Sequence, residues 1–150
     1  MTIRHTVGNI LQSMSDAVAI PVNTVGVPGA GLALEAASAH PQWRDNYKKL
    51  CQQRLLRVGE IKFVCEVSPG KYLISFPTKQ HWKYPSKLEW IDAALAHMAR
   101  NHMSLAAMGI RSVALPMLGC GRGGLEWSAV RALIYKHFEH HEMDIEVYGP

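Results

Sequence analysis

No stretch of this chain approaches the ~20 uninterrupted apolar residues of a membrane-spanning helix. The opening MTIRHTVGNI lacks the apolar heart of a secretion signal. A cytoplasmic protein with no membrane partner is therefore expected. Cysteine is scarce as well. The three present, Cys51, Cys65 and Cys120, are odd in number, form no CxxC and suggest no pairing by their spacing. That favours a reducing compartment over a disulfide scaffold. Repeats, low-complexity segments, linkers and charged tails are all missing, because lysine and arginine are spread along the length. What is there suits a single soluble domain spanning residues 1–150, with 48% hydrophobic and 19% charged residues. The net charge of +4 is compatible with a phosphate-bearing partner, nucleic acid included, without demanding one.

Alternating apolar patterns place short strands at residues 3–7 and 16–22, the second buried, with Pro21 confined to its end. Ala/Leu-rich residues 31–39 favour a helix stopped near Pro41, and residues 42–56 a second one with Trp43, Tyr47 and Leu50 on one face. Strands follow at 59–67 and 71–76, in hairpin or parallel arrangement, and then a long polar loop over 77–87. Ser86 and Glu89 read as a capping box for a helix whose apolar stripe is Leu88, Ile91, Leu95, Met98 and Leu105. Residues 112–116 form another buried strand and 127–140 a helix with Val130, Leu133, Ile134 and Phe138 inward. DIEVY closes the chain as a strand. Strands alternating with helices imply an α/β sandwich, in which ligands bind beyond the carboxyl ends of the strands.

Three loops follow strands directly and should meet at one rim. NTVGVPGAGLAL, residues 23–34, holds three glycines and a proline. It is either a strand-to-helix turn or a backbone laid bare for a phosphate or ribose. Asn23 at its mouth either forms an Asx-turn or offers a carboxamide to a sugar's adjacent hydroxyls. GCGRGG, residues 119–124, again leads into a helix, and Arg122 is either a solvated cation or a phosphate partner. In FPTKQHW, Lys79 is a solvated charge unless the rim desolvates it beside Lys83, Lys87 and Arg122, when its amine becomes a nucleophile. Trp82 covers the core edge or stacks on a base, with His81 beside it. His137, His140 and His141 have helical spacing but no accompanying acidic ligand, so no metal is expected there. Cys120 has no positioned base and reads as structural.

The ordered set VNTVGVPGAGLALE, YLISFPTKQHW, PSKLEWI and VALPMLGCGRGGLEW resembles the macrodomains of the DarG type over nearly the whole chain, residues 3–147. That resemblance implies a three-layer α/β/α fold around a central mixed sheet, in a monomer without metal or cofactor. It implies an ADP-ribosyl glycohydrolase that frees thymidine in single-stranded DNA from ADP-ribose, counteracting a DNA ADP-ribosyltransferase toxin. A module that holds ADP-ribose without cleaving it, or that hydrolyses another ADP-ribose derivative, is the rival reading. By the same resemblance Lys79 is the catalytic residue. ADP-ribose would lie along Asn23, Thr24, Val25, Gly26 and Val27, then Gly29, Gly31 and Leu32. Pro77 and Thr78 would meet it beside Lys79. Leu118, Gly119, Cys120 and Gly121 would follow, with Arg122, Gly123 and Gly124 completing the diphosphate wall. His81, Trp82, Lys83 and Lys87 would face nucleic acid. The chain departs from the family pattern at Ile20-Pro21, where a second asparagine is common, and at Ala30, where a lysine is common. Its last glycine loop has no acid before Glu126.

Overall fold

The computed structural model describes residues 3–150. Six strands, β1 (Ile3–Thr6), β2 (Ala17–Asn23), β3 (Val64–Ser68), β4 (Lys71–Lys79), β5 (Ser112–Leu115) and β6 (Asp144–Tyr148), form one sheet. Their order is β1-β6-β5-β2-β4-β3, and every pairing is parallel except the β3–β4 hairpin. Five helices surround it: α1 (Gly31–Ala39), α2 (Pro41–Gln52), α3 (Leu88–Arg100), α4 (His102–Ala107) and α5 (Trp127–Phe138).

The two-residue period of the strands sorts the core into two layers. Val18, Ile20 and Val22 pack with Ala36, Trp43 and Tyr47 of α1 and α2. Ala17 and Ala19 face the other way, among Ile91 and Leu95 of α3 and Ile134 and Phe138 of α5. Helices thus cover both faces of a mixed sheet, the three-layer sandwich that the family resemblance implies. Trp43 is fully buried, and its indole N–H donates to Ser75 Oγ at 3.1 Å, so the largest core side chain leaves no orphan donor.

Several elements differ from their sequence reading, each for a local reason. Pro21 lies inside β2 rather than at its end. β5 pairs only with Ala17 and Val18, so β2 at Pro21 has a single strand neighbour, β4. β4 runs on through Pro77, Thr78 and Lys79 because β2 continues beside it, with Val22 opposite Pro77 and Asn23 opposite Lys79. α2 ends at Gln52, four residues early: Arg54 turns to φ 57° and Leu55 N–H closes onto Leu50 C=O. β3 starts at Val64 rather than at residue 59. The capping box does not form, since Lys87 is the N-cap of α3 and Ser86 is buried with its Oγ unbonded. The stripe ending in Leu105 breaks at Asn101, so Leu105 belongs to α4.

Candidate functional site

The carboxyl ends of β2, β4 and β5 point the same way, and the loops that follow them surround a cleft of about 580 Å³. Of the residues singled out by sequence, Asn23, Val27, Gly29, Gly31 and Leu32 stand on one wall. Thr78 and Lys79 form the middle, and Gly119, Gly121, Arg122 and Gly123 the far side. Trp82 sits at the mouth, on the cleft itself. Others are near but off the wall. Pro77 and Leu118 are buried, and Val25 is exposed. Gly124 turns at φ 79° outside the wall, and Gly26 backs onto Cys51. Cys120 donates its thiol to Leu118 C=O, and burial pushes that thiol up, which leaves no nucleophile there. Thr24 faces a second, smaller cavity. Sequence reasoning missed Pro21, Val22, Ala33, Pro116 and Met117 on the cleft wall. Four of these are the last residues of a strand or the first beyond one, and that placement was the available signal.

Asn23 resolves the ambiguity at the loop's mouth in favour of architecture. Its Oδ1 accepts from the N–H groups of Val25, Gly26 and Val27, at 3.1, 3.1 and 3.3 Å. Its Nδ2 donates to Val27 C=O at 2.8 Å. The Tyr47 hydroxyl, fully buried beneath, lies 2.9 Å from the same Oδ1 and 2.7 Å from the Asn23 carbonyl. The carboxamide therefore folds the loop on itself and ties it to α2. One Nδ2 proton is left over for a ligand.

Small residues and helix-start backbone make up much of the remaining wall. α1 begins at Gly31 with Ala30 as N-cap and no capping side chain, and residues 31–33 all line the cleft. The orphan N–H groups of that helix start have no side-chain partner and attract an anion. Across the cleft, a Cβ on Gly123 would lie 2.3 Å from Gly119 C=O and 2.6 Å from Ser86 Oγ, so only glycine closes this turn. A Cβ on Gly121 would meet nothing within 4 Å. Its space is the cleft, kept open for something else.

Only two charged groups stand on this wall, Lys79 and Arg122; among the described residues no carboxylate does. A wall with cationic side chains and no carboxylate suits an anionic ligand. Burial first, and then the Arg122 guanidinium, push the Lys79 ammonium below the usual lysine range. Its Nζ donates to Trp82 C=O at 3.3 Å, and its backbone C=O accepts from Thr24 N–H, which fixes the strand ends to each other. Outside the cleft, Trp82 stacks on His81, ring centroids 5.2 Å apart, and Lys83 Nζ lies 5.3 Å from the Trp82 ring. Lys87 instead covers Trp90. The helix expected over 127–140 ends at Phe138, so only His137 of the three histidines is helical; it pairs with Asp92, while His141 meets Ala99 C=O and His140 is exposed near Glu139.

The family model described as Macro domain matches residues 20–134. The chain belongs to the macrodomain family. Among curated relatives, this macrodomain is 36% identical to a DNA ADP-ribosyl glycohydrolase of Thermus aquaticus, over 99% of the chain and 41% of the relative. It is 31% identical to a DNA ADP-ribosyl transferase–DNA ADP-ribosyl glycohydrolase fusion protein of Thermosipho africanus, over 95% of the chain and 40% of that protein. The chain thus spans about two fifths of the length of these relatives. Its structure matches the macrodomain of Mycobacterium tuberculosis DarG with a TM-score of 0.90 at 35% identity, covering 99% and 98% of the two chains. Thermosipho africanus DarTG in complex with ADP-ribose matches with a TM-score of 0.85 at 31% identity, covering 98% of this macrodomain and 42% of that chain.

Proposed function

We propose that this macrodomain is a DNA ADP-ribosyl glycohydrolase that releases ADP-ribose from a thymidine base of single-stranded DNA and so counteracts a DNA ADP-ribosyltransferase toxin. The observation that carries this reading is the position of Lys79, whose amine stands in the cleft at the end of β4, between the start of α1 and the Gly119–Gly123 turn. Similarity to relatives named for this activity, and to part of a DarTG solved in complex with ADP-ribose, supports the same reading.

The diphosphate lies on the N–H groups of the α1 start and the Gly119–Gly123 turn, with Arg122 alongside, and the distal ribose reaches the Asn23–Lys79 junction. Neutral Lys79 Nζ adds to C1 of that ribose as the bond from C1 to the base nitrogen breaks. With no carboxylate on the wall, the proton shed by the new C1–Nζ ammonium passes to the departing base. Water then displaces the amine from C1, giving free ADP-ribose and restored Lys79. Trp82, at the mouth, receives the base or its neighbour by stacking.

The test is turnover of a single-stranded oligonucleotide carrying ADP-ribosyl thymidine, followed by release of free ADP-ribose. Lys79→Ala is expected to lose at least ~10²-fold in kcat while keeping most of its affinity for ADP-ribose. Lys79→Arg is expected to stay inactive, because a guanidinium does not give up its proton. Full activity of Lys79→Arg would eliminate covalent attack. A parent protein that binds the modified strand without releasing ADP-ribose would make this a reader of the modification.

A further inference from the structure

The cleft shares a wall with a second cavity of about 390 Å³. Asn23 and Lys79 face the cleft, and the next residue of each segment, Thr24 and Gln80, faces this second space. Its outer side is formed by the end of α2 and the turn beyond, including Cys51, Arg54 and Arg57. Among the described residues neither guanidinium has an ion-pair or hydrogen-bonding partner, and no carboxylate lines the cavity. Arg54 stands at φ 57° just past the C-terminus of α2, a position where glycine is the usual occupant and any side chain is disfavoured. A charged side chain is therefore held in an unfavourable backbone conformation, unpaired, beside a second one. The Thr24 hydroxyl, 3.1 Å from Gln80 C=O, braces the opposite side.

Two arginines lining one hollow together with Thr24 and Gln80 suit the oxygens of a phosphate. Position decides which phosphate. Gln80 and Trp82 are two residues apart on one loop, the first at this cavity and the second at the cleft mouth. On the proposed entry of a base past Trp82, the neighbouring phosphodiester would cross the β2–β4 ends towards Arg54 and Arg57. We infer that the Thr24–Arg54–Arg57–Gln80 cavity holds a backbone phosphodiester of the nucleic-acid strand being processed. This rests on the proposed action on a polynucleotide. It moves the main phosphate contact from the Lys83–Lys87 side of the rim to the end of α2.

The test compares the parent with Arg54→Gly/Arg57→Gln, using unmodified short oligothymidylate in fluorescence anisotropy at several salt concentrations. Expected are a loss of at least ~10-fold in oligonucleotide affinity at low salt and a salt slope shallower by about 0.7 for each phosphate contact removed. ADP-ribose affinity by calorimetry should stay within about twofold of the parent, because neither arginine touches the cleft. Arg54→Gly relieves the left-handed side chain, so the melting temperature should not fall, which separates lost binding from lost folding. With the modified oligonucleotide, KM should rise and kcat should hold. Parental oligonucleotide affinity and salt slope in the double variant would overturn the assignment. So would an arginine-dependent thermal shift with inorganic phosphate alone while oligonucleotide binding ignores both arginines, which marks a free-anion site. The binding arm needs no cleavage, so a parent that binds through these arginines but releases no ADP-ribose would sink the glycohydrolase reading and leave this one standing.

Discussion

At the scale of single residues, the proposed chemistry depends on the pair Lys79 and Arg122. Attack requires the neutral amine, and Arg122 is one of the two causes that hold the Lys79 ammonium below its ordinary range. The charged form dominates below the Lys79 pKa, so kcat should rise tenfold per pH unit there and level off above it. Arg122→Gln removes the repulsion and raises that pKa, so the inflection of kcat should move to higher pH and the rate on the rising limb should fall. Following kcat rather than kcat/KM keeps lost diphosphate affinity out of the comparison, and an unmoved inflection would exclude the coupling. The place of Lys79 in the cleft was legible in the sequence, because FPTKQHW directly follows a strand and carries the family resemblance. The occupation of the Asn23 carboxamide was not, since its partner Tyr47 lies 24 positions away and only the packing of α2 under the loop brings them together. Arg54 and Arg57 gave no signal either, being two cations among sixteen until the fold left them unpaired.

At the scale of elements, the turn after β5 separates glycines that build the fold from glycines that leave room for a ligand. Gly123 has carbonyl and hydroxyl oxygens where a Cβ would go, whereas Gly121 has open cleft. Gly123→Ala should therefore cost about 1–3 kcal/mol of stability in denaturant unfolding, because the turn and Ser86 must both shift. Gly121→Val should melt like the parent yet lose ~10²-fold in ADP-ribose affinity, equivalent to about two N–H contacts to a charged group. Equal behaviour of the two variants would mean that the turn does not face phosphate. The six strands and four of the five α-helices were readable, because period-2 and period-3.6 patterns are local; α4 was not, because its Leu105 reads as part of the α3 stripe. Element ends were not. β4 gained Pro77–Lys79 from β2 alongside it, and the capping box failed because Ser86 is drawn under the GCGRGG turn, where its N–H donates to Gly123 C=O. Those displacements matter for function, since they place Lys79 on a strand end rather than in a mobile loop.

At the scale of the whole molecule, the cleft is bonded into both layers of the core. Asn23 connects its near wall to Tyr47 and α2, while Ser86 and Leu118 seat its far wall among the side chains packed on α3 and α5. A ligand clamped between those walls binds only the folded state. ADP-ribose at ~100 times its Kd should then add about 2.7 kcal/mol to stability and raise the melting temperature by roughly 5–10 °C in a thermal scan. A flat melting temperature alongside calorimetric binding would place the ligand elsewhere. The backbone lining of the cleft also sets what mutation can change freely. If the α1 start holds the ligand through its N–H groups as proposed, the side chains of Leu32 and Ala33 matter less to recognition than the left-handed backbone at Gly31 and Gly119. Two chains could therefore differ at most wall positions and still hold the same nucleotide. For proteins built this way, shared dihedral angles are a better guide to a common ligand than shared letters.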